Sequence, residues 1–561
     1  MLKSKRIEPE WNGRALNIQW AYACLFPLVI LIFYSHQKGE RISWGQIFQT
    51  KSDRIESGIN RADLIPTAGI ILHSTPFDAG KIPINHTAFQ SSSDTTYKYI
   101  AQSGDTIESV AAHFRVRPQE ISSKDPILAN VLLKPGQILN IHRLSDEFPN
   151  SPHLLPDSEI IFTDSAADFD VTAFIESAGG FLSDQQEFMR SSGMTSVAEI
   201  IERIALENSF NPRLLLAILE YQCGCVLGYP DKYFDTNYLM GVQNPVKRGL
   251  YRQLGWAVNQ LSLGYYGWRD GLISEFYFPN GTVTRIPPNL NAGSVALLYL
   301  FAQLYDSDAW QQAVDPEEGF SALYSRMFGD PWQRDVQIAP LLPGNLTQPE
   351  MILPFHPGEI WSYTSGPHKA WETDGALAAL DFAPPSVESG CMPSDEWIVA
   401  VADGVVVRSE YGAVVLDLDA SENNKKPIST SSDGNEHTGW AILYMHVAQK
   451  DRVPEGTHLR AGDPIGHPSC EGGPASGTHV HIARKYNGEW IAADGPVPFV
   501  MDGWVAKSGY KPFEGTLVKD DITITANFFS PGSSFISREV AEISQLKRIF
   551  RQNQQHRWKC D

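Results

Sequence analysis

The texture of the chain changes near residue 331, and that change limits what the chain can fold into. Before it, apolar residues recur at helical spacing. "TSVAEIIERIALENSF" places Val197, Ile200, Ile201 and Ile204 on one face. "NPRLLLAILEYQCG" opens with Asn211 as a cap and Pro212 in the first turn, and it closes at Gly224. "NLNAGSVALLYLFAQLY" reads as a further buried helix. From 331 to 357 prolines recur at 331, 340, 343, 349, 354 and 357, the composition of an extended linker. Beyond it, "EWIVAVADGVVVRS", "GAVVLDLDA", "GWAILYMHVA" and "THVHIARKY" alternate or are β-rich, between Gly, Pro and Asp turns. A chain of 561 residues is too long for one ordinary core. The expected fold class is therefore multidomain, with a mainly α module at 170–330 and an all-β antiparallel module at 358–516.

The amino-terminal end carries a different signal. "NIQWAYACLFPLVILIFYSH" (17–36) has no charged side chain, and about 20 such residues suffice to span a hydrocarbon layer of about 30 Å. Lys3, Lys5, Arg6 and Arg14 precede it, which predicts a cytoplasmic amino terminus. Residues 1–37 are read as a stub and retained signal anchor, with 38–95 as spacer. The expected localisation is a single-pass cell-membrane protein with its remaining domains outside, so the membrane is one expected partner. The net charge of −20 argues against a nucleic-acid partner, because neutralising phosphates takes clustered Lys and Arg. Of six cysteines, Cys24 lies in the anchor and Cys560 in the tail, while Cys223 and Cys225 are too close for an unstrained bridge. Cys391 and Cys470 remain, and an extracytoplasmic setting permits them to pair; sequence alone does not fix connectivity.

Residues 96–146 read as a small βααβ unit. "YKYIAQ" alternates like a strand, Asp105 and Glu108 mark a helix start, Pro118 opens a second short helix, and "KPGQILNIH" turns into a returning strand. With its "SGDT" turn and "LKPGQIL" close, the unit resembles a LysM domain. The resemblance implies binding to N-acetylglucosamine-containing glycan, with Gly104, Asp105 and Thr106 as candidate contacts. The helical region resembles a lysozyme-like or lytic-transglycosylase domain, chiefly through "NPRLLLAILEYQCG". That family carries its catalytic glutamate just before a Ser-Gly pair, where this chain has Gln222. Glu220 lies two residues earlier, about 200° around the helix, so it is no simple replacement. Glu207 is the other candidate for the carboxylic acid that glycosidic cleavage needs.

The β module holds the chemistry. On a strand, residues i and i+2 share a face, so His479 and His481 in "THVHI" project together. "WSYTSGPHKAWETDGALAALDFAPP" adds His368 and Asp381, and "AILYMHV" adds His446. Imidazole and carboxylate suit Zn²⁺, and a hydrolytic site keeps three protein ligands and one open position. His368, Asp381 and His481 would supply the three. "GPHKAWETDGALAALDF", "YMHV", "GTHVHI", "VADGVVV" and "EGTHLRAGDPIGH" resemble zinc metallopeptidases of the lysostaphin and beta-lytic type, which cut peptides of bacterial peptidoglycan. The thirteen-residue interval from His368 to Asp381 suits the beta-lytic branch; the other branch spaces them by four, and Leu377 stands there. No HExxH helix is present. The resemblance implies a Zn²⁺ cofactor, peptidoglycan as substrate, and proton transfer and charge stabilisation by His446 and His479. Sequence does not separate these two roles; the working assignment is His479 as base and His446 as oxyanion stabiliser. The expected function is a wall-targeted zinc endopeptidase. The alternatives are a non-catalytic scaffold that activates other wall hydrolases, or a glycosidase acting through the helical module. Residues 517–561 form a carboxy-terminal extension, with a strand pair expected near "ITITANFFSPGSS".

Overall fold

A computed structural model describes residues 96–142, 151–371, 374–385, 390–418 and 434–539. Strand β1 (Tyr97–Ile100) leads into the helix Ile107–Phe114, which Thr106 and Ser109 cap reciprocally. The expected second helix shortens to one 3₁₀ turn, Pro118–Glu120. The Glu120 carboxylate accepts the Arg117 N–H at 2.9 Å and closes that turn. Ile121 then enters β2 (Ile121–Ser123), which pairs with β3 (Ile138–Ile141) in a sheet of order β1-β3-β2. Asp125-Pro126 follows, and a residue before proline is steered away from helix. Tyr99, Val110, Phe114, Leu139 and Ile141 fill this small core.

The helical region builds on Val171–Ala178, Val197–Asn208, Pro212–Cys223, Leu250–Arg269, Ala292–Leu304, Ser307–Ala313 and Phe320–Phe328. Two short hairpins interrupt it: β4 (Gln186–Met189) with β5 (Gly193–Ser196), and β6 (Glu275–Tyr277) with β7 (Val283–Arg285). Asn211 caps its helix, accepting the Arg213 N–H at 2.9 Å, and Gly224 ends it in the left-handed conformation. Gly264 lets two helices touch: a Cβ there would stand 2.8 Å from Ala296 Cα. The stretch read as linker is structured. Pro331–Ile338 is a helix capped by Asp330, and Leu341, Leu342, Met351, Leu353 and Phe355 are buried.

The carboxy-terminal sheet runs in the order β14-β11-β12-β13-β16-β9-β8-β22, with β17 added on β16. Its strands are β8 (Ile360–His368), β9 (Ala379–Ala383), β11 (Gly404–Glu410), β12 (Ala413–Asp417), β13 (Trp440–Met445), β14 (His458–Leu459), β16 (Val480–Tyr486), β17 (Glu489–Trp490) and β22 (Phe535–Ser537), and all its pairings are antiparallel. A ribbon of β10 (Ile398–Val399) and β15 (Pro464–Gly466) and a smaller sheet of β18 (Val500–Met501), β19 (Trp504–Ser508), β20 (Gly515–Lys519) and β21 (Ile522–Thr525) complete the region.

Alternation divides the large sheet into two faces. Leu380, Phe382, Val414, Leu416, Ile442, Tyr444, Val480 and Ile482 point into a core of the β region's own making. Ala379, Ala413, Val415, Ala441, Leu443, Met445 and Ala483 point the other way, and they share one continuous core with the helices. Polar contacts stitch this junction. Ser209 Oγ donates to Gly488 O at 2.6 Å, and Trp490 N–H donates to Tyr266 Oη at 3.1 Å. The buried Arg269 guanidinium pairs with Asp157 at 2.9 Å and Glu489 at 3.0 Å, and it also donates to Ser103 O.

Two expectations are corrected. The fold class included an amino-terminal transmembrane helix, and the localisation followed from it. No helix among the described residues is long and apolar enough to cross a membrane, and the expected anchor at 17–36 lies outside the described residues. The described chain mixes helices and sheets, and neither the spanning helix, the membrane partner nor the single-pass localisation is carried further.

Candidate metal centre

Register brings the candidate residues together. His481 of β16 lies directly opposite Asp381 of β9. His368 closes β8, the strand on the other side of β9. His446 follows β13, whose last residue, Met445, faces His481. His479 immediately precedes β16 on the same face as His481. Four neighbouring strands therefore place five side chains at one end of the sheet, on the face that the helices cover.

Three ligand atoms converge. His368 Nε2 and His481 Nδ1 are 3.0 Å apart, and each is 3.2 Å from Asp381 Oδ1. Each ring is fixed by its other nitrogen: His368 Nδ1 lies 2.8 Å from Gly366 O and His481 Nε2 lies 3.0 Å from Ala370 O. A carbonyl accepts, so those nitrogens carry the protons in the neutral rings. The facing nitrogens then present lone pairs to each other and to a carboxylate oxygen. Asp381 Oδ1 is buried without a hydrogen-bond donor. Three buried acceptors at this spacing repel unless positive charge lies among them. Their separations suit ligands that share a cation at about 2.0–2.2 Å, as Zn²⁺ does with imidazole and carboxylate. The same demand shows in titration. Burial lowers the His368 imidazole, but the Asp381 charge outweighs it and raises His368 above its ordinary value. Burial raises Asp381, yet His368 and His479 hold it well below the usual carboxylate range.

The other two histidines flank this trio. His446 and His479 have ring centroids 4.5 Å apart, and His479 Nε2 is 3.7 Å from Asp381 Oδ2. His446 adopts φ +65°, a conformation uncommon outside glycine, where β13 ends. Ser469 N–H and Oγ both donate to its carbonyl, at 2.7 and 2.9 Å, and hold it there. His446 Nδ1 lies 2.8 Å from Glu471 O and His479 Nδ1 lies 2.7 Å from Gly477 O. Both rings therefore leave Nε2 as a lone pair. Burial, with the adjacent His479 and His481 rings, pushes His446 down to about 3. A neutral His446 of this tautomer accepts a proton at Nε2 and donates one from there only after taking it up.

The remaining candidates are placed elsewhere. Asp105 is buried, accepting from Tyr99 Oη at 2.8 Å and Gln102 N–H at 2.7 Å. Gly104 packs on the Arg269 guanidinium, and Thr106 caps a helix. Gly104 thus meets the helical region, while Asp105 and Thr106 bond within the small unit. The Glu220 carboxylate accepts the Val226 and Leu227 N–H groups at 2.8 and 2.9 Å, and Gln222 donates to Tyr305 Oη at 2.6 Å. Glu207 is buried and bound by Arg203 and Tyr251, each at 2.7 Å. It borders a gap of about 10 Å³ beneath Trp371, Arg408 and Tyr411, room for about one water. Disulfides join Cys391 to Cys470, with Cα atoms 5.7 Å apart, and Cys223 to Cys225, the pair whose spacing reads as too close for an unstrained bridge. Sequence reasoning missed Phe513, whose ring stacks on His368 at 4.7 Å between centroids. Nothing in "SGYKPFEG" marks it as adjacent to a site.

The chain is similar to known proteins along part of its length. Residues 153–342 match the family described as LasA, N-terminal domain. The chain is 24% identical over 375 residues to protease LasA of one Pseudomonas aeruginosa strain, across 62% of this chain and 77% of that one. LasA of a second strain is also 24% identical, over 361 residues and the same shares. Among solved structures, the M23 metalloprotease pseudoalterin from the deep sea shares 21% identity over 32% of this chain and 96% of its own, at a TM-score of 0.26. The catalytic domain of the antimicrobial peptidase lysostaphin from Staphylococcus simulans shares 20%, over 24% and 87%, at 0.16. TM-scores this low carry no argument. The chain is thus similar to LasA both in the family model over residues 153–342 and along 62% of its length.

Proposed function

We propose that the protein is a zinc-dependent endopeptidase that cleaves peptide cross-links of peptidoglycan. The observation that carries this reading is the convergence of three buried acceptors, His368 Nε2, His481 Nδ1 and Asp381 Oδ1, within 3.0–3.2 Å of one another. Similarity to protease LasA supports a peptidase, and the lysostaphin-type motifs suggest the wall peptide as its substrate.

In this reading His368, Asp381 and His481 hold Zn²⁺. Once bound, Zn²⁺ polarises the scissile carbonyl and makes water more acidic. His479 accepts the proton from the attacking water through Nε2, which lies 3.7 Å from Asp381 Oδ2. His446, whose ring lies 4.5 Å from that of His479 between centroids, would receive that same proton at Nε2, stabilise the oxyanion as the imidazolium, and pass the proton on to the departing amine. Gly366, Ala370, Glu471 and Gly477 contribute only carbonyls, but these set the tautomer of every histidine in the site.

Neither alternative gains an observation. Glu207 is locked by two partners beside a gap too small for a sugar ring, and Glu220 is occupied as a cap. A scaffold without catalysis has no use for three buried acceptors facing one another.

The test is digestion of purified peptidoglycan with the protein, with and without a chelator, followed by mass analysis. New amino termini that disappear with chelator and return with Zn²⁺ are expected. New reducing or anhydro-sugar ends in place of amino termini would overturn the reading.

A further inference from the structure

Strand β8 reaches His368 irregularly. Its register against β9 shifts between Tyr363 and Ser365 and again between Ser365 and His368. Sheet pairing alone therefore holds the last three residues weakly. The turn between β19 and β20 holds them from outside. Gly366 N–H donates to Phe513 O at 2.7 Å, and Phe513 N–H donates to Pro367 O at 3.1 Å. The backbones approach too closely for extra atoms: a Cβ on Gly366 would stand 2.5 Å from the Glu514 carbonyl carbon. The turn is itself anchored. The Asp494 carboxylate accepts from Ser508 N–H at 2.9 Å and Lys507 Nζ at 3.0 Å, and Gly509 N–H donates to Glu514 O at 2.9 Å.

Phe513 sits at φ +73°, a costly conformation for a bulky residue, and one that the surroundings must hold. Its ring lies on the His368 imidazole with the planes 26° apart. Phe513 as a residue is 51% exposed, while His368 beneath its ring is only 3% exposed. An imidazole bonded through Nδ1 can still rock about that bond. A flat ring against its face blocks the rocking and keeps water from the ligand's outer side.

We propose that Phe513 is a positioning residue for His368, so that the carboxy-terminal hairpin is part of the metal centre. The inference rests on His368 being a ligand. It adds that a residue about 145 positions downstream, on a turn outside the large sheet, fixes the aim of Nε2 and shields it.

The experiment measures Zn²⁺ affinity of the full chain, stripped of metal, by competition with a coloured chelator, alongside thermal melting. Phe513→Ala is expected to weaken binding by about 10- to 100-fold, the range found for groups that orient metal ligands. Phe513→Tyr keeps a flat ring and is expected to restore affinity close to the parent's. Tyr510→Ala, in the same turn, is expected to change nothing. Should Phe513→Ala melt early, Phe513→Leu decides, since it keeps apolar bulk without the flat face and is expected to bind more weakly than Phe513→Tyr. Parental affinity in a folded Phe513→Ala, or in Phe513→Leu where that variant decides, would overturn the proposal, as would an equal loss in Tyr510→Ala. If His481→Ala binds Zn²⁺ as the parent does, the ligand set itself is wrong, which is a separate failure.

Discussion

Two imidazoles one residue apart have opposite prospects when removed singly. His481 supplies a ligand atom to the buried trio, and His479 does not. His481→Ala is therefore expected to lose Zn²⁺ retention, measured as metal content after dialysis. His479→Ala is expected to retain metal stoichiometrically and lose turnover by about 10²- to 10⁴-fold, the worth of a positioned proton acceptor. Parental turnover in His479→Ala would remove it from the mechanism. That both rings share one face was legible in sequence, because the strand period is two residues. What was not legible is the tautomer, which depends on carbonyls at 366, 370, 471 and 477 that any residue type can supply. A third histidine shows a different physics. His113 is buried, stacked on Trp268 at 3.5 Å and bonded to its carbonyl at 2.8 Å. Burial pushes it down to about 3. The folded state thus keeps it neutral where the unfolded chain, near 6.5, takes a proton. Its contribution is complete above about 6.5 and is lost as pH falls towards 3, at about 1.4 kcal/mol per unit. Melting between pH 7 and 5 should drop by roughly 2 kcal/mol less in His113→Gln than in the parent. An identical pH dependence in the two would show that the His113 environment is not what resists protonation.

Elements were read most accurately where one period ran unbroken. The helices Val197–Asn208 and Pro212–Cys223 begin at the Ser196 and Asn211 caps, and the second ends at Gly224. The reading failed where local and tertiary demands differ. Proline spacing at 331–357 suggested free linker, but Pro331 is the first residue of a capped helix, a place where a missing N–H costs nothing. Strand β8 hides its irregularity for a similar reason. "WSYTSGPH" alternates poorly, and only the opposing turn explains why a glycine must stand at 366. Gly366→Ala is expected to push β8 and the Phe513 turn apart, because the new methyl meets rigid backbone. Overpacking of this kind costs about 1–3 kcal/mol, visible in denaturant melting. Zn²⁺ affinity should fall with it, since His368 lies two residues on. A variant as stable as the parent, with unchanged affinity, would mean that the junction is softer than its distances imply.

At the scale of the molecule, the helices and the sheet share a core, and the shared face carries the histidine cluster. Ala413, Met445, His481 and Asp381 form one cross-strand row. Along the row, away from the histidines, Ala413 borders the gap beneath Arg203, Leu206 and Glu207. Sequence gave no warning of this, because Ala379, Ala413, Ala441 and Ala483 suit a self-contained core as well as a docked one. A peptide lying along the row would need the space that these helical side chains occupy. Arg203 pairs with Glu207 at 2.7 Å, donates to Ser191 Oγ at 2.6 Å and lies over the Tyr411 ring at 4.5 Å, so it ties that edge of the cover to the sheet. Replacing Arg203 and Glu207 together with Ala removes the paired charges without stranding either one. The double variant is expected to melt lower and to cleave a soluble cross-link peptide several-fold faster than the parent, chiefly through KM. A lower melting temperature with unchanged KM would show that the peptide approaches from the other end of the row, past Asp381.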